Sequence, residues 1–189
     1  LMARAVRLAV DWAFTEGGVE IVHWRSHVGN EASLRIAHAT GFTLHGTTPG
    51  LLFERGKVLD AWTGSIRFGD APLPRTRWAE SPVLESARLR LRPNSDADLP
   101  RIAEACADPI SRQWLNSLPS PYSQADARQY VARCVWLAAR GAKATWAIAD
   151  RESDKLLGNI AVMDLLGPNP TSGEVGYWMH PDARGKGIM

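Results

Sequence analysis

The pattern of apolar residues stops over one stretch, residues 67–84, where Pro72, Pro74 and Pro82 fall in a segment without periodicity. Proline fixes its own backbone and has no N–H to donate, so such a segment forms neither a long helix nor a central strand. We interpret it as a linker between residues 1–66 and 85–189. Fully extended, it spans roughly 60 Å, which is long enough for the two flanking segments to close on each other.

The first segment carries a mixed pattern of helices and strands. Val6, Val10 and Phe14 recur at helical spacing, which predicts an amphipathic helix over residues 2–15 that ends at Gly17-Gly18. The pattern after it predicts four more elements: a strand over 19–24, a helix over 31–40, and two strands over 42–53 and 58–66.

The second segment repeats this mixture. Asp96 is predicted to cap a helix over about 97–107, and Ser123 with Asp126 has the spacing of a capping box before a helix that ends at Arg140. Four strands are predicted at 87–91, 144–149, 156–165 and 173–180, with a Pro/Ser/Trp loop at 111–121 and a Gly-Pro-Asn-Pro loop at 167–170. Both segments together predict an α/β protein with a mixed, twisted sheet flanked by helices.

Composition excludes several classes of protein. Lys and Arg total 22 against 20 for Asp and Glu, so the formal net charge of +2 lacks the basic excess of a nucleic-acid-coating protein. Cys106 and Cys134 are too few for a disulfide framework, and no Cys or His spacing indicates a metal site. No apolar run is long enough to span a bilayer. We therefore expect a cytoplasmic protein without metal, nucleic acid or membrane partners.

The end of the chain carries the clearest chemical signal. A predicted strand runs directly into Arg184-Gly185-Lys186-Gly187. Glycines allow successive backbone N–H groups to turn toward an anion, so a basic glycine-rich turn after a strand is a candidate phosphate cradle. Such a turn taken alone is equally typical of an ordinary surface loop.

The run from Gly173 to Met189 resembles the acetyl-CoA motif of the GNAT superfamily of N-acetyltransferases, especially the branch that contains RimJ and RimL. Arg184 and Gly187 match the motif, whereas Met189 stands where the family has a small residue. The resemblance implies acetyl-CoA as cofactor. With the first segment included, it implies these cofactor-binding residues: Asn30, Trp178, Met179, His180, Arg184, Gly185, Lys186 and Gly187.

Other motifs extend the resemblance, but in permuted order. Residues 87–92 and 111–122 resemble the first strand and substrate-side loop of the branch. Asn30-Glu-Ala-Ser33, followed by Ala39-Thr-Gly-Phe42, resembles a signature from the C-terminal part of the family. Residues 1–66 therefore resemble the C-terminal half of a GNAT domain and residues 85–189 the N-terminal half.

Three explanations of the permuted order remain open. Because Ile188-Met189 resembles a repeat of Leu1-Met2, the chain is interpreted as a piece of a tandem protein, with a circular permutant and a chance resemblance as the alternatives. In the first two cases we expect the halves to complete one GNAT unit, within one chain or as a half-exchanged homodimer. The strand over 19–24 would then lie beside the strand over 173–180.

The resemblance also implies an activity, the transfer of an acetyl group to a primary amine such as a protein N-terminus or a small molecule. Ser33 would protonate the leaving sulfur and Glu174 would act as base, while Trp114 and Tyr122 would wall the acceptor pocket. Each has a structural alternative: a helix-start serine, a surface carboxylate and packing aromatics. Glu54 is a second candidate for the base. A non-catalytic acyl-CoA-binding module and an inactive fragment are the alternative functions.

Overall fold

The computed structural model describes residues 1–115, 118–166 and 171–189. The chain divides into two compact units, Leu1–Arg77 and Trp78–Met189. The boundary between them falls inside the predicted linker. The predicted Gly-Pro-Asn-Pro loop at 167–170 lies outside the described residues.

The first unit contains two helices and a three-stranded antiparallel sheet. Its elements in chain order are α1 (Met2–Thr15), β1 (Ile21–His27), α2 (Glu31–Ala39), β2 (Thr43–Glu54) and β3 (Lys57–Arg67). The sheet order is β1-β3-β2, so the hairpin β2–β3 places β3 in the centre. Arg55 and Gly56 both have positive φ in the hairpin turn, a conformation that glycine adopts without strain.

The core of the first unit forms between its helices and its sheet. Ala37 of α2, Phe42 and Ile66 of β3 are buried, and Val6, Val10 and Phe14 of α1 pack against them. The predicted apolar stripe of α1 therefore faces the core, as expected for an amphipathic helix.

The second unit contains three helices and a five-stranded antiparallel sheet. Its elements are β4 (Leu84–Glu85), β5 (Leu89–Arg92), α3 (Leu99–Ala107), α4 (Pro109–Trp114), α5 (Gln124–Ala139), β6 (Ala144–Asp150), β7 (Leu156–Met163) and β8 (Glu174–Met179). The strands are ordered β4-β5-β6-β7-β8, and each pairs with its neighbour in the chain. The mixed α/β architecture, with helices and antiparallel sheets, agrees with the predicted fold class.

The core of the second unit lies between α3, α5 and the middle of the sheet. Leu99, Ile102 and Cys106 of α3 pack with Ala127 of α5, and with Ala147 and Leu156 of the sheet. Beside this core, the guanidinium of Arg92 donates two hydrogen bonds to the carboxylate of Asp98, at 2.8 and 2.9 Å. This ion pair ties β5 to the short 3-10 turn that precedes α3.

Two sequence-based expectations about the helices of this unit were wrong. Ser95, not Asp96, opens the turn before α3, because Asp98 reaches back to its backbone N–H and completes a capping box. The predicted loop at 111–121 begins as a helix: Asp108 caps α4 by accepting the N–H of Ser111, and Pro109 at the first helical position favours the start.

The predicted linker has no helix or strand between β3 and β4, but hydrogen bonds hold it to each unit. On the first unit, the carbonyl oxygen of Thr76 lies 2.9 Å from the His38 ring nitrogen. On the second unit, Ala79 donates its N–H to Ala138, and the Trp146 indole donates to Pro82. The segment is therefore bound along much of its length. No helix among the described residues is long and apolar enough to cross a membrane.

Candidate functional site

The predicted strand and glycine turn are both present. β8 ends at Met179, and His180 leads into a single 3-10 turn, Pro181–Ala183. Gly185 and Gly187 follow with φ values of 71° and 60°. A Cβ atom built on either glycine would meet nothing within 4 Å. The backbone shape therefore favours glycine at both positions, and the space beside them is open.

The side chain of Arg184 turns inward. Its Nη2 atom lies 2.6 Å from the Ser111 hydroxyl oxygen and 2.9 Å from a carboxylate oxygen of Asp108, and it also donates to the Met179 carbonyl oxygen at 3.3 Å. The pKa of Asp108 is lowered, most of all by the N–H of Ser111. Burial opposes that shift, and the hydrogen bonds from Arg184 and from the Ser111 hydroxyl add to the lowering. Arg184 thus connects the turn to α4 and to the end of β8.

Asp182 holds the other end of the turn. Arg101 of α3 donates to one carboxylate oxygen at 2.7 Å, and Lys155 donates to the other at 3.0 Å. The hydrogen bond from Arg101 lowers the pKa of Asp182 most. Burial opposes that shift, and Lys155 and His180 add to it. This residue therefore carries a stable negative charge at the base of the turn.

His180 is buried between two carboxylates. Its Nδ1 lies 2.8 Å from Asp182 and its Nε2 lies 3.1 Å from Glu104 of α3. Its backbone N–H donates to the Leu157 carbonyl of β7 at 2.8 Å. Its predicted role in binding the cofactor stays a prediction, but both its ring and its N–H have partners within the second unit.

The other residues predicted on β8 form part of the sheet. Trp178 is opposite Asn159 and packs against the core of the second unit, and Met179 is opposite Gly158. A side chain at Gly158 would collide with the Trp178 carbonyl oxygen, so glycine allows β7 and β8 to approach here. Because N–H directions alternate along a strand and that of His180 faces β7, the N–H of Met179 points away from β7.

Lys186 is exposed, and its backbone is held by a residue of the bend between β4 and β5. The guanidinium of Arg88 donates to the Lys186 carbonyl oxygen at 3.0 Å. The turn from Pro181 to Gly187 is consequently tied at three points by Asp182, Arg184 and Lys186. The region predicted to bind an anion is anchored by side chains distant in sequence.

The predicted acid–base residue of the second unit, Glu174, is exposed as the first residue of β8, opposite Met163. The alternative candidate, Glu54, lies at the end of β2 and pairs with His27 at 2.9 Å. The role of Glu174 as base stays a prediction.

The two predicted pocket aromatics have different surroundings. Trp114, the last residue of α4, is 80% exposed, whereas Tyr122 packs against the core. Burial raises the pKa of Tyr122, and the neighbouring Cys106 thiol raises it further. Tyr122 is therefore a packing residue, as the structural alternative predicted, while Trp114 is accessible to a substrate. The assignment of both residues to the acceptor pocket stays a prediction.

Asn30 and Ser33 meet at the start of α2. The side-chain oxygen of Asn30 accepts the N–H of Ser33 at 3.1 Å, so Asn30 is the N-cap of the helix. The indole N–H of Trp24 in β1 donates to the hydroxyl oxygen of Ser33 at 3.0 Å. Since that oxygen acts as acceptor, the hydroxyl hydrogen of Ser33 can be donated to another group.

The first unit therefore brings together Asn30 and Ser33, and the second unit brings together the strand and turn residues. The sequence analysis missed the anchors of the turn: Arg88, Arg101, Asp108, Ser111 and Lys155. Asp108-Pro109 followed by Ser111 is a recognisable helix-start signal, but no local pattern pairs Asp108 with Arg184. No group of three or more potential metal ligands is found among the described residues.

A profile of the acetyltransferase (GNAT) domain matches residues 88–189, more than half of the chain. No curated protein matches significantly. Similar solved structures include RimL, a ribosomal L7/L12 alpha-N-protein acetyltransferase in complex with coenzyme A, at 21% identity and a TM-score of 0.47. The alignment covers 57% of this chain and 60% of RimL.

Two further solved structures align over the same shares, 57% of this chain and 60% of their own length. One is an acetyl transferase from Salmonella typhimurium that modifies the N-terminal serine of 50S ribosomal subunit protein L7/L12, with 22% identity and a TM-score of 0.45. The other is the ribosomal-protein-S5-alanine acetyltransferase of Vibrio fischeri, with 18% identity and a TM-score of 0.47. The chain thus spans about three fifths of the length of these proteins.

Proposed function

The chain belongs to the acetyltransferase (GNAT) domain family, and from that premise we propose that it transfers an acetyl group from acetyl-CoA to a primary amine. The observation that carries the proposal is the glycine turn after β8. Gly185 and Gly187 have left-handed backbones with open space where a Cβ atom would stand. Backbone N–H groups arranged in this way form concavities that bind phosphate.

The turn fits the phosphates of coenzyme A in shape and in charge. Lys186 is exposed between the two glycines, and its ammonium is free to lie near an anion. Residues 185–187 would hold the phosphates, and the N–H of Met179 at the edge of β8 would donate to the pantetheine arm. When bound, acetyl-CoA supplies the acetyl thioester that the amine attacks.

The proton transfers are assigned to two side chains. Ser33 would hold a proton for the departing sulfur, with its hydroxyl oxygen oriented by the Trp24 indole. Glu174 would accept a proton from the amine, directly or through water. A base must lie within hydrogen-bond reach of the proton that it removes, so Glu174 would have to approach the amine in the complex with substrate.

We also propose that the two units complete one GNAT unit, within a chain or by exchange between two copies. Each unit ends its sheet at an edge strand, β1 in the first and β8 in the second. Val175 and Tyr177 on β8 are more than half exposed, and an exposed apolar strand edge favours pairing with another strand. We expect both units to unfold in a single transition, and we expect coenzyme A to shift that transition. Two transitions, of which only one responds, would contradict the proposal.

The activity is tested with the intact chain, acetyl-CoA and a panel of amines that includes peptides with free N-termini and small-molecule amines. We expect release of coenzyme A that depends on the amine, and an acetylated product of matching mass. Coenzyme A binding without turnover of any amine would favour the non-catalytic module. Absence of binding would contradict the proposed function and favour the inactive fragment. A Glu174→Gln variant should retain cofactor affinity and lose turnover.

A further inference from the structure

We infer that Arg184 is a positioning residue, anchored by Asp108, that holds the glycine turn in its binding shape and does not itself contact the phosphates. This inference rests on the proposed function. It concerns a residue that the motif alone marks as a cofactor ligand. The reasons lie in the contacts of its guanidinium.

The first reason is geometric. One nitrogen of Arg184 contacts Asp108, Ser111 and the carbonyl oxygen of Met179, all within 3.3 Å. Asp108 is the N-cap of α4, Ser111 lies in its first turn, and Met179 ends β8. Arg184, the residue just before the glycines, is therefore linked to the start of α4 and to the end of β8, the strand that precedes the turn.

The second reason is electrostatic. The Asp108 carboxylate compensates the charge of Arg184, and the two side chains are only 18% and 31% exposed. If the guanidinium moved out to a phosphate, this partly buried carboxylate would lose its cation. Losing one partner of such a pair costs more than losing an exposed ion pair. Lys186, in contrast, has an exposed side chain that is suited to the phosphate charge.

The two possible roles of Arg184 make opposite predictions for a neutral residue at position 108. If Arg184 bound phosphate directly, removing the competing carboxylate would release a cation and strengthen binding. If Arg184 is an anchor, the same change would loosen the turn and weaken binding. The sign of the effect therefore distinguishes the roles.

Asp108→Asn is the informative variant because asparagine caps helices as well as aspartate does, so the start of α4 is kept. In calorimetry, we expect coenzyme A to bind Asp108→Asn and Arg184→Met roughly 3- to 10-fold more weakly than wild type. This range corresponds to the loss of one charged hydrogen bond, reduced because the pair is partly exposed. The double variant should bind no more weakly than Arg184→Met alone, because both changes remove the same link.

Asp96→Asn provides the matched control. Asp96 forms an exposed ion pair with Arg128 at 3.1 Å and does not touch the turn. We expect this variant to bind coenzyme A as wild type does. Tighter binding by Asp108→Asn, unchanged binding, or additive losses in the double variant would each overturn the inference.

Hydrogen exchange of residues 181–187 tests the anchor without any ligand. Exchange in this segment should be faster in Asp108→Asn and Arg184→Met than in wild type or Asp96→Asn. Unchanged exchange would overturn the inference, even if the wild type failed to bind coenzyme A. Failure to bind, with faster exchange in the two variants, would instead contradict the proposed function and keep the anchoring role.

Discussion

The indole nitrogen of Trp24 lies 3.0 Å from the hydroxyl oxygen of Ser33. This bond joins β1 to the first turn of α2 and orients the serine, while Asn30 caps the same turn. A residue that donates a proton needs a fixed position and an available hydrogen, and Ser33 has both.

Replacing Ser33 with alanine should lower kcat roughly 100-fold or more if the hydroxyl protonates the sulfur, with little change in cofactor affinity. The proton is needed only as the thiolate leaves, so the loss belongs to the chemical step. Steady-state kinetics and calorimetry separate the two quantities. Trp24→Phe should cause a smaller loss of kcat, because it removes only the orienting bond. Wild-type turnover by Ser33→Ala would restrict Ser33 to the helix start.

A β-branched residue at Gly187 should abolish coenzyme A binding, because its side chain would fill the space that the phosphates need and its backbone disfavours positive φ. Gly56→Val is the matched control. Gly56 also has positive φ with nothing near its Cβ position, but it lies in the β2–β3 hairpin turn. Both variants should lose stability, and calorimetry should show lost binding only for Gly187→Val. Equal binding by both would exclude the turn as the phosphate site.

Asp98→Asn should destabilise the second unit by about 2 kcal/mol, because it removes the charge of a carboxylate that is only 3% exposed and leaves Arg92 paired with the half-exposed Asp154 alone. Chemical denaturation measures the change. Arg128→Met, which breaks an exposed pair, should change stability by less than about 1 kcal/mol. Comparable losses in both variants would show that burial adds nothing to the Arg92–Asp98 pair.

Acid should weaken the ion pair between Arg92 and Asp98. Burial alone would raise the pKa of Asp98, but hydrogen bonds from Arg92 and Ser95 outweigh it and the net pKa is lowered. A carboxyl whose folded pKa is below its unfolded value stabilises the fold above the unfolded pKa, about 3.9. That contribution is lost as pH falls from there through the folded pKa. Wild type should lose stability more steeply than Asp98→Asn below about pH 4, as followed by thermal unfolding. Parallel curves would contradict this assignment.

Gly158→Ala should destabilise the sheet by about 1–3 kcal/mol, since the added methyl group would collide with the carbonyl oxygen of Trp178. Thermal unfolding measures the effect. Gly176→Ala is the control, because Gly176 lies in β8, has no positive φ either, and its added methyl group would meet only the end of the flexible Met163 side chain. If Gly158→Ala were the milder change, the close approach of β7 and β8 would not limit this position.

Elements with strong local signals were predicted correctly. The stripe of Val6, Val10 and Phe14 predicted α1 with its exact bounds, and the Ser123–Asp126 capping box opens α5 as expected. The glycine turn was also predictable, because glycine at positive φ is a local property of the backbone. The start of α3 was predicted at about residue 97 and lies at Leu99, after a 3-10 turn capped by Ser95. Ser95, Asp96 and Asp98 are all good cap residues, and only the reciprocal bond of Asp98 decides among them.

The sequence by itself determined most of the helices, strands and turns, because those preferences act between residues a few positions apart. Only the tertiary structure decided that Arg184 turns inward to Asp108, 76 residues away. It likewise decided that Asp182 receives Arg101 and Lys155. Long charged side chains can reach in many directions, and their partners depend on which elements the packed core brings side by side.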